Sequence, residues 1–346
     1  MTDGEKPGSS GMGNHLWVKD INEDDIVNDL YLVKVKRLGQ TKNGASFLSL
    51  TLSDKTGDIE TRVWDRAEEL TALFKEGDII EVKGKAGSYR NQTQLTLNDL
   101  TPSKEDNPFI FLESTPYDVS GMLKELKRII KGIKSADLRD LINSFLSDHD
   151  FIEKFREAPA AKNFHHGYIG GLLEHTLSVC RLAGHVHEQY PDLDRDLLVA
   201  GAFLHDIGKV REFTFGRNIE YSDEGRLLGH LVLGVSMLEE KLAGLKNFPA
   251  ETSLSLKHMI LSHHGEYEFG SPKRPKFLEA FVLHFIDDLD AKMNGISRFM
   301  TMDKKEGAWT EFNRMFDRYL LKEGLSSPEE DQITAPVRDD GQKALF

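Results

Sequence analysis

The chain has 346 residues, 39% hydrophobic and 29% charged, which allows two folded domains at about 150 residues each and excludes a low-complexity tether. No apolar run approaches the roughly 18 residues of a membrane span, and the Gly/Ser-rich start MTDGEKPGSSGMGNH has no secretory-type apolar stretch. The single cysteine, Cys180, excludes a disulfide framework or a cysteine-only metal cluster, and a net charge of −13 excludes a surface coated with cations, so a cytoplasmic protein without membrane contact is expected.

Residues 1–20 read as a flexible lead-in. Five β-rich runs follow, YLVKVKRL, SFLSLTLSD, DIETRVW, DIIEVKGKA and TQLTLNDL, separated by turn signals such as Lys42-Asn43-Gly44 and Lys55-Thr56-Gly57. A helical stretch near Asp65–Phe74 falls between the third and fourth runs. Five strands with a helix in that place is the order of an OB-fold barrel, here given residues 21–102, with another small β-barrel as the alternative. Residues 103–118 lack a clean period and read as a linker. From Val119 to about Leu321 the periodicity is helical; Leu123, Leu126, Ile129, Ile130 and Ile133 form one apolar stripe, and prolines punctuate the later helices. Residues 322–346 are a polar tail containing Pro328-Glu329-Glu330-Asp331 and Asp339-Asp340. The fold expected is multidomain, an OB-fold followed by an all-α domain.

Five fragments, GGLLEHTLSV, GAFLHDIGKV, LLGHLVLG, ILSHHGEYEFGSP and LHFIDDLDAK, each place His or Asp in an otherwise apolar segment. Burying such groups is costly unless they are hydrogen-bonded, paired or metal-bound. One buried His is ordinarily a satisfied core residue, but a series at roughly 25–35-residue intervals points to one shared metal site. Imidazole and carboxylate donors suit manganese first, with iron, cobalt or zinc as alternatives. His205 and Asp206 are neighbours on a helix, about 100° apart, so both reach one ion while the second carboxylate oxygen is free to bridge. With His175 and Asp287 the pair completes one site, and His230 and His263 supply a second ion about 3.5–4 Å away.

The order H…HD…H…H…D resembles the HD superfamily of metal-dependent phosphohydrolases. With the preceding OB-fold, and over roughly residues 25–320, the chain is similar to bacterial YhaM-type 3′→5′ exoribonucleases. That resemblance implies Asp287 rather than Asp290 as the ligand, and it alone implies the exonucleolytic direction. His264 is read as a catalytic proton donor, a phosphate contact or a further ligand. Lys209, one turn after His205, is read as a phosphate contact or a solvated helix-end lysine. His165 and His166 line a substrate channel, or His166 caps and packs.

For nucleic acid, Tyr31–Ser53 holds Lys34, Lys36, Arg37 and Lys42 and no acidic residue. Phe47, Trp64 and Tyr89 are candidate stacking aromatics, Tyr89 with Arg90 in a strand turn; alternation implies that at least one of the three is core, and Trp64 is as readily inward. Lys273 and Arg274 form a basic loop beside the expected metals. The function expected is metal-dependent 3′→5′ hydrolysis of single-stranded RNA, with DNA and a homo-oligomer left open. The alternatives are an HD-type nucleotide or cyclic-nucleotide phosphohydrolase and a non-catalytic nucleic-acid-binding regulator.

Overall fold

The computed structural model describes residues 15–89, 92–105, 110–162, 166–215, 219–303 and 305–322. Arg90, His165 and the acidic tail lie outside these residues.

The first element group is a closed barrel of β1 (Ile26–Gln40), β2 (Ser46–Asp54), β3 (Gly57–Val63), β4 (Ile79–Tyr89) and β5 (Gln92–Pro102), ordered β1-β2-β3-β5-β4. Alternation decides which side chains fill it: Leu48, Leu50 and Leu52 point inward against Val63, Val82, Leu95 and Leu97. The parallel pairing of β3 with β5 closes the ring, and α1 (Ala67–Thr71) buries Ala67 and Leu70 against the barrel. This is the strand order of an OB-fold.

Residues 15–20, expected to be loose, are seated on this barrel. Leu16 and Val18 donate their backbone N–H to Asp29 and Asp54, at 2.7 and 2.6 Å, and Tyr31 Oη donates to the Leu16 carbonyl. The stretch after β5 is likewise not a free tether. Phe111 is fully buried with Leu32 and Ile79, and Thr115 donates to Glu174.

Nine helices then appear among the described residues: α2 (Val119–Lys131), α3 (Ala136–Leu146), α4 (His149–Glu157), α5 (Gly171–Gln189), α6 (Arg195–Leu204), α7 (Lys209–Glu212), α8 (Asp223–Leu242), α9 (Ala250–Ser262) and α10 (Leu278–Met302). Their starts follow local chemistry. Asp118, Ser135, Asp148, Asp194 and Ser222 each cap a helix by accepting backbone N–H bonds of its first turn. The apolar stripe read from Leu123 to Ile133 packs as expected, with Leu126, Ile130 and Ile133 buried and Leu123 and Ile129 against them. A short hairpin, β6 (Phe213–Phe215) with β7 (Ile219–Tyr221), interrupts the helices. Helical structure stops at Met302 rather than near Leu321; residues 305–322 make bridges pairing Trp309 with Leu321 and Asn313 with Arg318. No described helix is long and apolar enough to cross a membrane.

Candidate metal centre

Five segments deliver the donors. His175 comes from the first turns of α5, His205 and Asp206 from the break between α6 and α7, His230 from α8, His263 and His264 from the end of α9, and Asp287 from α10. Two glycines allow the approach. A Cβ on Gly208 would lie 2.0 Å from the His230 carbonyl oxygen, so only glycine lets the HDIGK turn touch α8. Gly229, at φ 71° and ψ 162°, breaks α8 immediately before His230. That break strips the His230 N–H of its helical acceptor, and Glu212 takes both the backbone N–H (3.0 Å) and the ring Nδ1–H (3.1 Å).

The same division of labour holds at every histidine. The Nδ1 atoms of His205, His263 and His264 donate to the carbonyls of Ala202, Ile260 and Phe269, at 2.8, 2.9 and 3.0 Å. A carbonyl can only accept, so these nitrogens carry the proton and leave Nε2 with its lone pair. His175 Nδ1 donates to Asp290 at 2.7 Å. The Nε2 atoms then point at one another: His175 to His205 at 3.1 Å and His230 to His264 at 3.3 Å. Lone pairs facing at that distance repel unless a proton or a cation lies between them.

Asp206 joins the two sets. Its Oδ2 is 3.5 Å from His175 Nε2, 3.4 Å from His205 Nε2 and 2.6 Å from the ammonium of Lys209. Its Oδ1 is 3.6 Å from both His230 Nε2 and His263 Nε2, and is buried with no hydrogen-bond donor among the described residues. Asp287 Oδ1 lies 3.1 Å from His175 Nε2 and 3.6 Å from His205 Nε2. An orphaned buried carboxylate oxygen is expensive. The arrangement fits divalent metal: His175, His205 and Asp287 make one donor group, His230, His263 and His264 a second, and Asp206 presents one oxygen to each.

Electrostatics separate the groups. Burial opposes charge on His205, but Asp206 and Asp287 outweigh it and push its pKa up to about 10; His175 is raised as well, by Asp287 and Asp290 against burial. Burial and the neighbouring His230 bring His264 down to about 4, and burial with His264 holds His263 well below its ordinary value. The carboxylates thus favour positive charge at His175 and His205, while burial disfavours it at His263 and His264.

The HD domain family matches residues 172–292, and the OB-fold nucleic acid binding domain family matches residues 32–103. The 3′-5′ exoribonuclease YhaM of Bacillus subtilis (strain 168) is 37% identical over 303 residues, covering 87% of this chain and 95% of that protein. The chain belongs to the YhaM family. The YhaM enzymes of Bacillus licheniformis and Geobacillus sp. (strain WCH70) are each 38% identical, covering 82% of this chain and 90% and 87% of their own lengths. The HD domain that this YhaM-family chain carries implies dependence on divalent metal.

The expected residues fare differently. His175, His205, Asp206, His230, His263 and Asp287 converge, and His264 joins them as a third imidazole beside His230 and His263. Lys209 is buried against Asp206 and is no solvated lysine. Asp290 stands behind His175: it accepts from His175 Nδ1, from His166 Nε2 at 3.0 Å and from Ser178 Oγ. Burial opposes its ionisation, yet the bonds from His166 and His175 hold its carboxyl well below the usual range. His166 is buried, with Tyr168 Oη 3.0 Å from its Nδ1 and Glu174 beyond, so it packs rather than lines a channel.

On the barrel none of the aromatic candidates is core, because Leu48 and Val63 take the inward positions beside them. Trp64 is 51% exposed, and its ring lies 5.3 Å from that of half-buried Phe47; Tyr89 is 58% exposed. Arg37 and Lys42 are exposed. Lys34 pairs with Asp58 at 2.6 Å, and Lys36 donates to the carbonyls of Thr71 and Phe74, so its ammonium anchors the segment after α1. Arg274 pairs with Glu266 at 3.0 Å, whereas Lys273 is exposed and makes no ion pair among the described residues.

Sequence reasoning missed Glu212, Ser178, Tyr168 and Glu174, which position the histidines. It also missed Arg62, whose guanidinium reaches Ser49 across β2 and β3. A signal existed for Glu212 alone: an acidic residue following the HDIGK turn inside a buried segment.

Proposed function

We propose that this chain is a metal-dependent 3′→5′ exoribonuclease in which Asp206 would help to hold two divalent ions, manganese first among them. The observation that carries it is Asp206 itself: two oxygens, each facing its own group of imidazole lone pairs, one of them without a donor. The first ion is assigned to His175, His205 and Asp287, the second to His230, His263 and His264. Divalent metal bound there would activate water near neutral pH and offset charge on a phosphodiester. Lys209 holds the Asp206 carboxylate in place, and Glu212 and Asp290 fix the tautomers of His230 and His175.

Single-stranded nucleic acid is assigned to the outer face of β1–β3, where Phe47, Trp64, Arg37 and Arg62 lie together with Lys42 in the adjoining loop. The division proposed is a strand-binding barrel ending near residue 102 and a hydrolytic helical part beginning at residue 119, in a cytoplasmic protein. End-labelled single-stranded RNA and DNA incubated with Mn²⁺ test the reading. A ladder receding from the RNA 3′ end supports it. Hydrolysis of mononucleotides alone, or tight binding with no turnover, contradicts it.

A further inference from the structure

The loop after α9 carries two large aromatic side chains that the protein leaves uncovered. Tyr267 is 64% and Phe269 66% exposed, on a one-turn 3₁₀ helix spanning Tyr267–Phe269. Neither ring stacks on another aromatic among the described residues. A single exposed aromatic is ordinary and carries no meaning. These two differ because their turn is fastened to the metal centre: the carbonyl of Phe269 accepts from His264 Nδ1 at 3.0 Å, and His264 Nε2 faces His230.

The turn is also held rigidly. Gly265 and Gly270 bracket it with φ of 79° and 82°. Within it, Phe269 N–H donates to Glu266 and Gly270 N–H to Tyr267. Ser271, buried at its foot, places its hydroxyl against the carbonyls of Leu261 and Lys273, and Arg274 pairs with Glu266. Solvent-facing rings on a firmly held turn suit a flat ligand, because stacking then orders little of the backbone at the moment of binding. The charge nearby suits a polyanion: Lys273 and Lys276 follow on the same loop, exposed and without a carboxylate partner among the described residues, in a chain of net charge −13.

We propose that the Tyr267–Phe269 turn is a nucleobase platform, on which the last base or bases at the 3′ end of a single strand stack as the terminal phosphodiester reaches the metals. The inference rests on the exoribonuclease reading and deepens it. The backbone carbonyl of Phe269 accepts from His264 Nδ1 at 3.0 Å, so the main chain that carries the ring lies beside the cluster. Lys273 and Lys276 would meet the following phosphates. Because every base has a π-face, such a platform accepts any sequence, as an enzyme that trims successive bases needs.

The test uses the full chain, kept free of metal with chelator, and a short single-stranded RNA carrying the fluorescent base 2-aminopurine either at its 3′ terminus or near its 5′ end. The terminal probe is expected to be quenched on binding. Phe269→Ala and Tyr267→Ala should remove that quenching and weaken binding by roughly 5- to 150-fold per stacked base, while Phe269→Tyr restores both. Against an RNA whose 3′-terminal nucleotides are abasic, the alanine variants and the wild type should bind alike, since there is no base to lose. Quenching unchanged in the double variant, or an equal loss of affinity for intact and abasic-ended RNA, overturns the platform. Mn²⁺-dependent shortening of the intact RNA by the wild-type chain is measured separately, so failure of the exoribonuclease reading is distinguishable from failure of the platform.

Discussion

Asp290→Asn isolates the carboxylate that stands one step behind the metals. In the wild type, Asp290 Oδ2 accepts a hydrogen bond from His175 Nδ1 at 2.7 Å and one from His166 Nε2 at 3.0 Å. The amide oxygen of asparagine still accepts the His175 bond, so ring orientation survives, but the negative charge that raises imidazole basicity is gone. Loss of such a partner weakens metal affinity by about 10–100-fold, or roughly 1.4–2.7 kcal/mol. The effect should fall on one ion only, because His175 faces Asp287 and not the His230–His263–His264 group. Chelator-competition titration with Mn²⁺ resolves the two binding events: one should weaken and the other hold. Two unchanged affinities would refute the orienting role. Complete loss of one ion in Asp290→Asn, with normal uptake in Asp287→Asn, would mean that Asp290 is the ligand.

The two ions should also differ in pH dependence. Protons compete at His205, whose pKa is pushed up to about 10, and at His175, whereas His263 and His264 are already neutral at pH 7. Lowering the pH from about 9 to about 6 should therefore weaken Mn²⁺ at the His175–His205–Asp287 group, with proton release on binding detectable by calorimetry in buffers of different ionisation enthalpy. Gly208→Ala should lower thermal stability by about 1–3 kcal/mol and lose metal, since its Cβ would meet the His230 carbonyl at 2.0 Å; a stable variant with full metal uptake would contradict that packing. In salt titrations of RNA binding, Lys42→Ala should reduce the slope by about 0.7, while Lys36→Ala should leave the slope alone and destabilise the barrel, because its ammonium serves the carbonyls of Thr71 and Phe74.

What the sequence revealed follows from what is local. Alternation in Leu48–Ser53 and a helix after Val63 sufficed for the barrel, because side-chain period and turn residues are local properties. The metal residues were legible because His and Asp inside apolar helical runs have no inexpensive alternative to pairing or ligation. Their supporting shell was not. Nothing near Asp290 in the chain shows that His166 and Ser178, 124 and 112 residues away, will claim its oxygens. Lys36 looked like a free cation in an acid-free stretch, yet carbonyls 35 and 38 residues on absorb it. The break at Gly229 was hidden because LLGHLVLG keeps an apolar period that a continuous helix satisfies equally well. Residues 15–20 seemed loose by composition, and only their tertiary partners Asp29 and Asp54 seat them.

The central claim is that one carboxylate joins two ions, and Mn²⁺ uptake by Asp206→Ala, read by stoichiometry and electron paramagnetic resonance, tests it most directly. The wild-type chain should take up two Mn²⁺ that give a spin-coupled signal, and shorten RNA. The folded Asp206→Ala chain should show no coupled pair and no hydrolysis, because both ions lose their shared ligand. A folded Asp206→Ala protein that keeps the coupled signal, or degrades RNA at near the wild-type rate, would contradict the account.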